Sequence, residues 1–263
     1  MFKAINTAAT GMSAQEINVN TLANNIANVN TTGFKKGRTE FQDLLYETLQ
    51  EPGAKYSTDT QYNVGTQIGS GSKVSAVRKI NTQGSPQITR NPFDLMINGD
   101  GFFGILTPSN EIKYTRDGSF NVDHLGNLVN SDGLRVYPGI NIPPGTTSVN
   151  ISSTGEVEAY LPGQVNPTGV GSIAVFTFAN PAGLRSEGKN LVAQTTSSGV
   201  PLQNIPGQSN SGVIEQGHLE SSNVNVMNEM TELIRAQRAY ESNAKVMNVV
   251  DGMMGNTNNI VGR

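Results

Sequence analysis

The side chains that could catalyse a reaction are few, and they lie in the middle of the chain. Three aspartates, Asp117, Asp123 and Asp132, are close together in sequence. A pair of carboxylates can hydrolyse a glycosidic bond when one has a raised pKa in an apolar cleft. Each of these three adjoins a glycine or a histidine, a context typical of turns. The sequence therefore favours turn residues over a catalytic pair.

Metal binding and nucleophilic catalysis have little support in the composition. There are two histidines, His124 beside Asp123 and His218 without a neighbouring ligand type. The chain has no cysteine, which excludes disulfides, thiolate metal sites and cysteine nucleophiles. We interpret both histidines as surface or turn residues and predict no cofactor.

Two further motifs resemble binding sites. Gly99–Gly104 fits the pattern G-x-G-x-x-G, but a dinucleotide loop continues into a helix, and strand-like Ile105 follows here. The basic run Lys35–Arg38 is too short for a nucleic-acid patch in a chain of net charge −3. We interpret it as the solvated exit of a helix, with a contact to acidic groups of another subunit as the alternative. We predict a protein that is not an enzyme and binds neither nucleic acid nor a small-molecule substrate.

Length and composition define the elements that carry these residues. The chain has 263 residues, 29 of them glycine and 12 proline, and 15% are charged. This glycine and proline content predicts many turns and short elements. No apolar run reaches the roughly 18–20 residues of a membrane-spanning helix, and the start lacks the compact apolar core of a Sec signal peptide.

Each end of the chain shows the apolar spacing of a long helix. Positions seven residues apart, with others three residues later, form a coiled-coil-like stripe at both ends. We predict a first helix from about Lys3 to Asn28, with Gly33 as a stop signal, and a second that starts after an N-cap at Asn225. The predicted assembly core comprises Ile5, Met12, Val19, Leu22, Ile26, Val29, Val226, Leu233, Tyr240, Met247 and Met254.

The middle of the chain predicts β-structure. It is rich in Val, Ile, Thr, Phe and Gly, and Asp-Gly pairs recur between short apolar segments, as in antiparallel hairpins. Residues 46–72 are polar with little periodicity, and we predict an extended connector or long loop. The predicted fold class is α+β, with a discontinuous helical domain (1–34 and 224–263), a connector (35–73) and an antiparallel β domain (74–223).

Two predicted helices with apolar stripes, one at each end of the chain, indicate that the protein assembles with other copies of itself. The helices can pack side by side, but a two-helix pair leaves half of each surface in water. Burial of the uncovered apolar stripes against other copies of the chain would be favourable, so the sequence predicts self-association. The alternative is a monomeric helical hairpin attached to a β domain.

Several short motifs, in a fixed order, resemble one known family. The first block, Leu22–Lys35, contains Asn24, Asn25, Asn28, Thr32, Gly33 and Phe34. The central blocks are Asn91–Leu95, Gly99–Phe103 and Tyr114–Phe120, and the last is Ala236–Val246. Together they resemble the axial proteins of the bacterial flagellum, the rod and hook family.

The resemblance implies a function. Chain length and residues 41–46, 51–54 and 65–69 are similar to distal-rod members of the family, with a proximal-rod subunit as the alternative. A distal-rod subunit forms a hollow, rigid helical polymer that transmits torque to the hook and lets exported subunits pass. The implied partners are other copies, proximal rod subunits, the hook protein, the P-ring and L-ring proteins and the flagellar type III export apparatus. The implied location is the basal body, from the periplasm to the outer membrane, without a cleaved Sec signal. From another class, a secreted β-rich adhesin or fibre with coiled-coil ends remains the alternative.

Two segments have more specific predicted roles. The connector carries spaced apolar side chains, and we predict that it stiffens the polymer by contacts along the axis; these residues are Pro52, Tyr56, Tyr62, Val64 and Ile68. Phe41 and Leu45 resemble the Phe-x-x-x-apolar pattern of flagellar export motifs. A packing pair one helical turn apart is the alternative for those two residues.

Overall fold

The chain forms two compact units. A computed structural model describes residues 2–51, 55–57, 60–61, 64–163, 166–208 and 211–261. The first unit, here the helical unit, comprises residues 1–26, 37–78 and 225–263, and the second, the β unit, comprises residues 27–36 and 79–224. The three-part domain division predicted from the sequence remains a prediction.

Two long helices dominate the helical unit, α1 (Phe2–Ala27) and α2 (Val226–Val261). Their positions confirm the helices predicted from the heptad spacing. The predicted N-cap is also confirmed, because the Asn228 amide donates a hydrogen bond to Asn225 Oδ1 at 3.2 Å. Gly33 does not cap α1, which ends six residues earlier.

The described residues between 37 and 79 form six strands. They are β1 (Gly37–Asp43), β2 (Tyr46–Gln50), β3 (Lys55–Ser57), β4 (Thr60–Gln61), β5 (Thr66–Gly69) and β6 (Ser72–Lys79). β1 pairs with β6, β2 with β5, and β3 with β4, so these six strands pair as one long hairpin. The segment 46–72, predicted as an extended connector or long loop, is extended, and its described residues form paired strands. Strand periodicity is hidden there because side chains on both faces of β2 and β5 are mostly exposed, and no apolar alternation marks the pairing.

Antiparallel strands make up the β unit. They are β7 (Pro86–Ile88), β8 (Leu95–Asn98), β9 (Phe102–Leu106), β10 (Ile112–Thr115), β11 (Asn121–Val122), β12 (Leu128–Val129), β13 (Arg135–Val136), β14 (Ser148–Ile151), β15 (Glu156–Tyr160), β16 (Thr168–Ser172), β17 (Val175–Thr177), β18 (Arg185–Gly188), β19 (Leu191–Ala193), β20 (Leu202–Asn204), β21 (Val213–Gln216) and β22 (His218–Glu220). The largest sheet runs β11-β12-β13-β9-β10-β19-β18, and β17 also pairs with β9 and β20. Smaller sheets pair β14-β15-β16, β21-β8 and β22-β7. Two terminal helices and a middle of antiparallel strands confirm the predicted α+β class.

The apolar core of the β unit lies between these sheets. Phe103, Ile105 and Val175 are fully buried, and the Phe103 ring meets the Phe120 ring edge-on, with centroids 5.2 Å apart. A second aromatic cluster joins Phe102, Tyr114, Phe176 and Phe178. These clusters supply the burial that holds the short strands together. In the part of the chain that the structure describes, no helix has the length and hydropathy to cross a bilayer.

Candidate assembly surface

The two terminal helices pack against each other in antiparallel order. The Asn25 side-chain amide donates a hydrogen bond to the Glu229 carboxylate at 3.0 Å. Nearer the start of α1, a Cβ on Gly11 would lie 2.9 Å from Asn243 Nδ2. The contacts are 14 residues apart on α1 (11 to 25) and 14 apart on α2 (229 to 243). One register therefore relates the two helices.

The residues predicted for the assembly core differ in burial. Leu22 is buried, while Val226 and Tyr240 are exposed. The others are half-buried: Ile5, Met12, Val19, Ile26, Val29, Leu233, Met247 and Met254. Their role in assembly remains a prediction.

The side of α2 that faces α1 includes polar residues. Its most buried side chains are Glu229, Ala236 and Val250, and the half-buried Asn243 completes a series with a spacing of seven residues. Apolar periodicity in the sequence does not reveal Glu229 and Asn243, because both side chains are polar. The α1 residues that meet this series, Asn25 and Gly11, also do not belong to an apolar pattern.

The opposite side of α2 carries uncovered apolar side chains. Met227, Met230 and Ile234 are 51–74% exposed, and their spacing of three and four residues places them on one face. At 3.6 residues per turn, that face points away from Ala236. A second exposed triplet with the same spacing, Val246, Val249 and Met253, begins 19 residues later and is therefore turned about 100° around the helix axis. We call Met227, Met230 and Ile234 the outer face of α2.

The hairpin of residues 37–79 lies along α1. The Gly37 amide donates to Asn25 Oδ1 at 2.9 Å, and Lys3 forms an ion pair with Glu47. Between them, a Cβ on Gly71 would overlap the Thr10 hydroxyl. From residue 37 to 47 the strands rise about 33 Å, which equals the rise of α1 from residue 25 back to residue 3. The two therefore run side by side to the first turn of α1.

Past that first turn, the hairpin carries exposed apolar residues. Val64 is 77% exposed, and Leu49 and Ile68 are also exposed. Pro52 and Tyr62, predicted to stiffen the polymer, lie outside the described residues, as does the side chain of Tyr56. The stiffening role of this segment remains a prediction.

The family motif after α1 is held by partly buried contacts within the β unit. Thr32 Oγ1 donates to Asp117 Oδ1 at 2.8 Å, and the Gly33 amide donates to the Glu220 carbonyl at 2.8 Å. Gly33 has φ +66°, and a Cβ there would lie 2.7 Å from the Arg116 and Asp117 backbone. Glycine is required for both reasons.

The remaining motif residues have local roles. Asn28 accepts a hydrogen bond from the Thr31 hydroxyl at 3.1 Å, and the Phe34 carbonyl accepts one from the Asn223 amide at 3.4 Å. Asn24 is exposed on α1. The motif thus combines helix contacts at Asn25 with loop contacts from residue 28 onward.

A buried cluster of charges adjoins the motif. Glu220, 1% exposed, pairs with Lys35 and with Arg116 at 3.4 Å, and it also accepts the Gly84 amide at 2.9 Å. Arg116 donates further to the Ile97 carbonyl at 3.0 Å. Burial lowers the pKa of Lys35, and the Glu220 carboxylate opposes that shift. The expectation that the run 35–38 is solvated was wrong for Lys35, which is 6% exposed.

Phe41 and Leu45 are accessible, but they do not form a helical pair. Phe41 lies in β1, and Leu45 follows that strand with 89% of its surface exposed. The alternative of a packing pair one helical turn apart was wrong because this segment is a strand. The export role of the two residues remains a prediction.

The candidate catalytic residues have structural partners. Asp117 also accepts hydrogen bonds from Ser119 at 2.9 Å, and Asp132 pairs with Lys189 at 3.1 Å. A hydrogen bond from His124 lowers the pKa of Asp123, the reverse of what a general acid needs.

The histidines and the glycine motif also lack the features of binding sites. His218 Nδ1 lies 2.9 Å from the Gln216 carbonyl. Gly99–Gly104 runs into β9 and not into a helix. Across the described ranges, no group of three or more His, Asp or Glu could hold a metal ion.

A helix pair with an uncovered apolar face, joined to an antiparallel β unit, defines a class of structural subunits that assemble with other chains. Three family models match the sequence. Residues 5–35 match "Flagella basal body rod protein", residues 96–159 match "Flagellar hook protein FlgE/F/G D1 domain", and residues 215–260 match "Flagellar basal body rod FlgEFG protein C-terminal".

Curated relatives match over almost the full length. The flagellar basal-body rod protein FlgG of Caulobacter vibrioides is 44% identical over 98% of this chain and 99% of its own. The FlgG of Borreliella burgdorferi is 44% identical over 99% of both chains, and that of Bacillus subtilis is 36% identical over 97% of both. The chain belongs to the FlgG family of flagellar basal-body rod proteins. It is a structural subunit of the distal rod and not an enzyme, and neither the proximal-rod nor the adhesin alternative is favoured.

Proposed function

We propose that the chain polymerises through its terminal helices into a hollow, rigid helical rod that transmits motor torque to the hook. The observation that carries this proposal is the outer face of α2, where Met227, Met230 and Ile234 are exposed on the side away from α1. Burying such a side chain in a contact between copies is favourable by up to roughly 1.5–3 kcal/mol. In a polymer, every subunit gains that energy.

The predicted assembly core fits the same proposal. Most of its residues are half-buried within one chain, so neighbouring copies can cover the remainder. Val226 and Tyr240, which the pair leaves exposed, are the members of the predicted core with the most surface to lose on assembly. The central channel of the rod passes exported subunits.

In the basal body, the rod contacts other flagellar proteins. Proximal rod subunits bind one end of the rod and the hook protein binds the other. The P-ring and L-ring proteins surround the rod between the periplasm and the outer membrane. The flagellar type III apparatus exports the chain without a cleaved Sec signal, and Phe41 and Leu45, both exposed, are the candidate export motif. Secretion of a Phe41→Ala variant, compared with the parent chain, tests that assignment.

The hairpin supplies stiffness in this proposal. Its first part is fixed to α1 by the Asn25–Gly37 hydrogen bonds and the Lys3–Glu47 ion pair. Its far part carries exposed Leu49 and Val64, which are free to pack against the next copy along the axis. A hairpin that is fixed to its own subunit and packs on the next one resists sliding between subunits. A tube of subunits can bend only if neighbouring subunits slide along each other.

Replacing Ile234 by aspartate tests the outer face. A charge at a subunit contact loses its water without gaining a partner, so we expect Ile234→Asp to abolish rod formation. The thermal midpoint of the β unit should stay unchanged. Electron microscopy of purified protein at high concentration and calorimetry give the two measurements.

The matched control is Ile205→Asp in the β unit. Ile205 is 55% exposed and Ile234 is 51% exposed, so the chemistry and exposure of the two changes are nearly equal. The control should still form rods. Full-length rods from Ile234→Asp would show that the outer face of α2 is not an assembly contact.

A further inference from the structure

A polar pair lies buried between the two long helices. Asn25 is 1% exposed and Glu229 is 5% exposed, and the Asn25 Nδ2 atom donates to Glu229 Oε2 at 3.0 Å. A hydrogen bond to a charged acceptor is stronger than one between neutral groups. A donor that lost this acceptor while remaining buried would carry the full cost of its desolvation.

The backbone of β1 fixes the orientation of the Asn25 side chain. The Gly37 amide donates to Asn25 Oδ1 at 2.9 Å, and Asn25 Nδ2 donates to the Gly37 carbonyl at 2.9 Å. These two bonds determine which end of the amide is oxygen and which is nitrogen. They leave one N–H of Nδ2 directed at Glu229, as a preformed site for a carboxylate on α2.

The apolar stripes alone do not define one alignment of α1 and α2. Both stripes repeat every seven residues, so sliding α2 by one repeat, about 10.5 Å, returns similar apolar positions to the contact. The polar pair does not repeat in this way. A slip in one direction places Ala236 opposite Asn25, and a slip in the other places residue 222, which precedes α2.

We propose that the Asn25–Glu229 pair sets the register of the α1–α2 pair. Only the observed alignment gives the fixed Asn25 N–H its carboxylate partner. The same alignment brings Gly11 against Asn243, where the smallest residue admits a close approach. A buried polar pair is an effective device for register because each misaligned state leaves it unsatisfied.

Engineered disulfides can measure the register, since the chain contains no cysteine of its own. Gly11→Cys with Asn243→Cys reports the observed alignment. A Cβ on Gly11 would lie 3.4 Å from Asn243 Cγ, which puts the two Cβ atoms near disulfide range. Gly11→Cys combined with Ala236→Cys or with Val250→Cys reports a slip of one repeat in either direction.

Each cysteine pair is compared in several backgrounds of the full chain, at concentrations where circular dichroism shows the helices formed. Non-reducing electrophoresis separates the disulfide within one chain from links between chains. With Asn25 and Glu229 intact, only the 11–243 disulfide should form. In Asn25→Leu/Glu229→Leu we expect the slipped disulfides to increase about tenfold or more, a ratio in line with loss of one charged hydrogen bond.

Two further variants separate register from folding. Glu229→Leu alone keeps the Gly37 bonds and should also allow slipped disulfides, whereas Glu229→Gln keeps an acceptor and should give only the 11–243 disulfide. If the leucine variants still give only the 11–243 disulfide, the pair does not set the register. If they give no disulfide in any pair, Asn25 and Glu229 are needed for helix association itself, which also overturns the proposal.

Discussion

Replacing Glu220 by glutamine should destabilise the β unit, because the Glu220 carboxylate compensates the charges of two buried cations. Glu220 faces two cations, Lys35 and Arg116, each at most 7% exposed. Glutamine keeps the shape of the side chain and an oxygen acceptor, but it removes the negative charge. Two buried cations would then face each other with Asp100 as the remaining carboxylate that acts on both.

The structure gives the expected magnitude. Removing one partner of a buried ion pair typically costs about 3–5 kcal/mol, because it leaves an uncompensated charge. Glutamine still offers one acceptor to Lys35, Arg116 or the Gly84 amide, so the lower end of that range applies. For a domain of roughly 150–250 residues, about 3 kcal/mol lowers the thermal midpoint by roughly 6–12 °C.

Calorimetry of the soluble monomer is the appropriate assay, with Glu156→Gln as the matched control. Glu156 is exposed on β15 in the same unit, so its neutralisation should change stability by less than about 0.5 kcal/mol. A Glu220→Gln midpoint within about 2 °C of the control would refute the argument. It would mean that their carbonyl contacts and the Asp100 carboxylate are enough to compensate Lys35 and Arg116.

Three further predictions follow from the helices, the hairpin and the charge cluster. In dilute monomer, residues 5–26 should give the narrow amide NMR dispersion of a disordered segment, because isolated helices are marginal; sharp, well-dispersed signals would contradict this. Deleting residues 46–66 and rejoining the flanks should yield curved or supercoiled rods, and straight rods of unchanged bending stiffness would assign rigidity to the helices instead. Burial keeps the pKa of Lys35 below its ordinary value of 10.5, so the folded chain releases that proton at a lower pH than the unfolded chain. The stability of the parent relative to Lys35→Met should therefore rise as the pH increases towards 10.5, and urea denaturation from about pH 7 upward checks the sign.

The heptad spacing predicted both helices, since it is a local pattern that survives in any packing arrangement. The hairpin strands have no such local pattern. β2 and β5 are held by cross-strand pairs such as Glu47 with Ile68, and these pairs have no local signature in Thr- and Gln-rich sequence. Predicting such a strand requires knowing which segment it will meet.

The contacts that fix the candidate site join residues far apart in the chain. Asn25 meets Glu229 across 204 positions, and Lys35 meets Glu220 across 185. From the sequence, Lys35 belongs to a charged run, and burial of its ammonium could not be anticipated. Only the presence of Glu220 and Arg116 around it makes that burial possible.

The sequence by itself determined the two helices, the β-rich middle and the order of motifs that marks the family, because each depends on spacing along the chain. The tertiary structure decided which face of α2 is covered by α1 and which is left open. It also decided why Gly33 must be glycine, since the backbone of Arg116 and Asp117 closes around it. These outcomes depend on the free energy of bringing distant segments together, and that energy is set by the partner each residue meets and not by its neighbours in sequence.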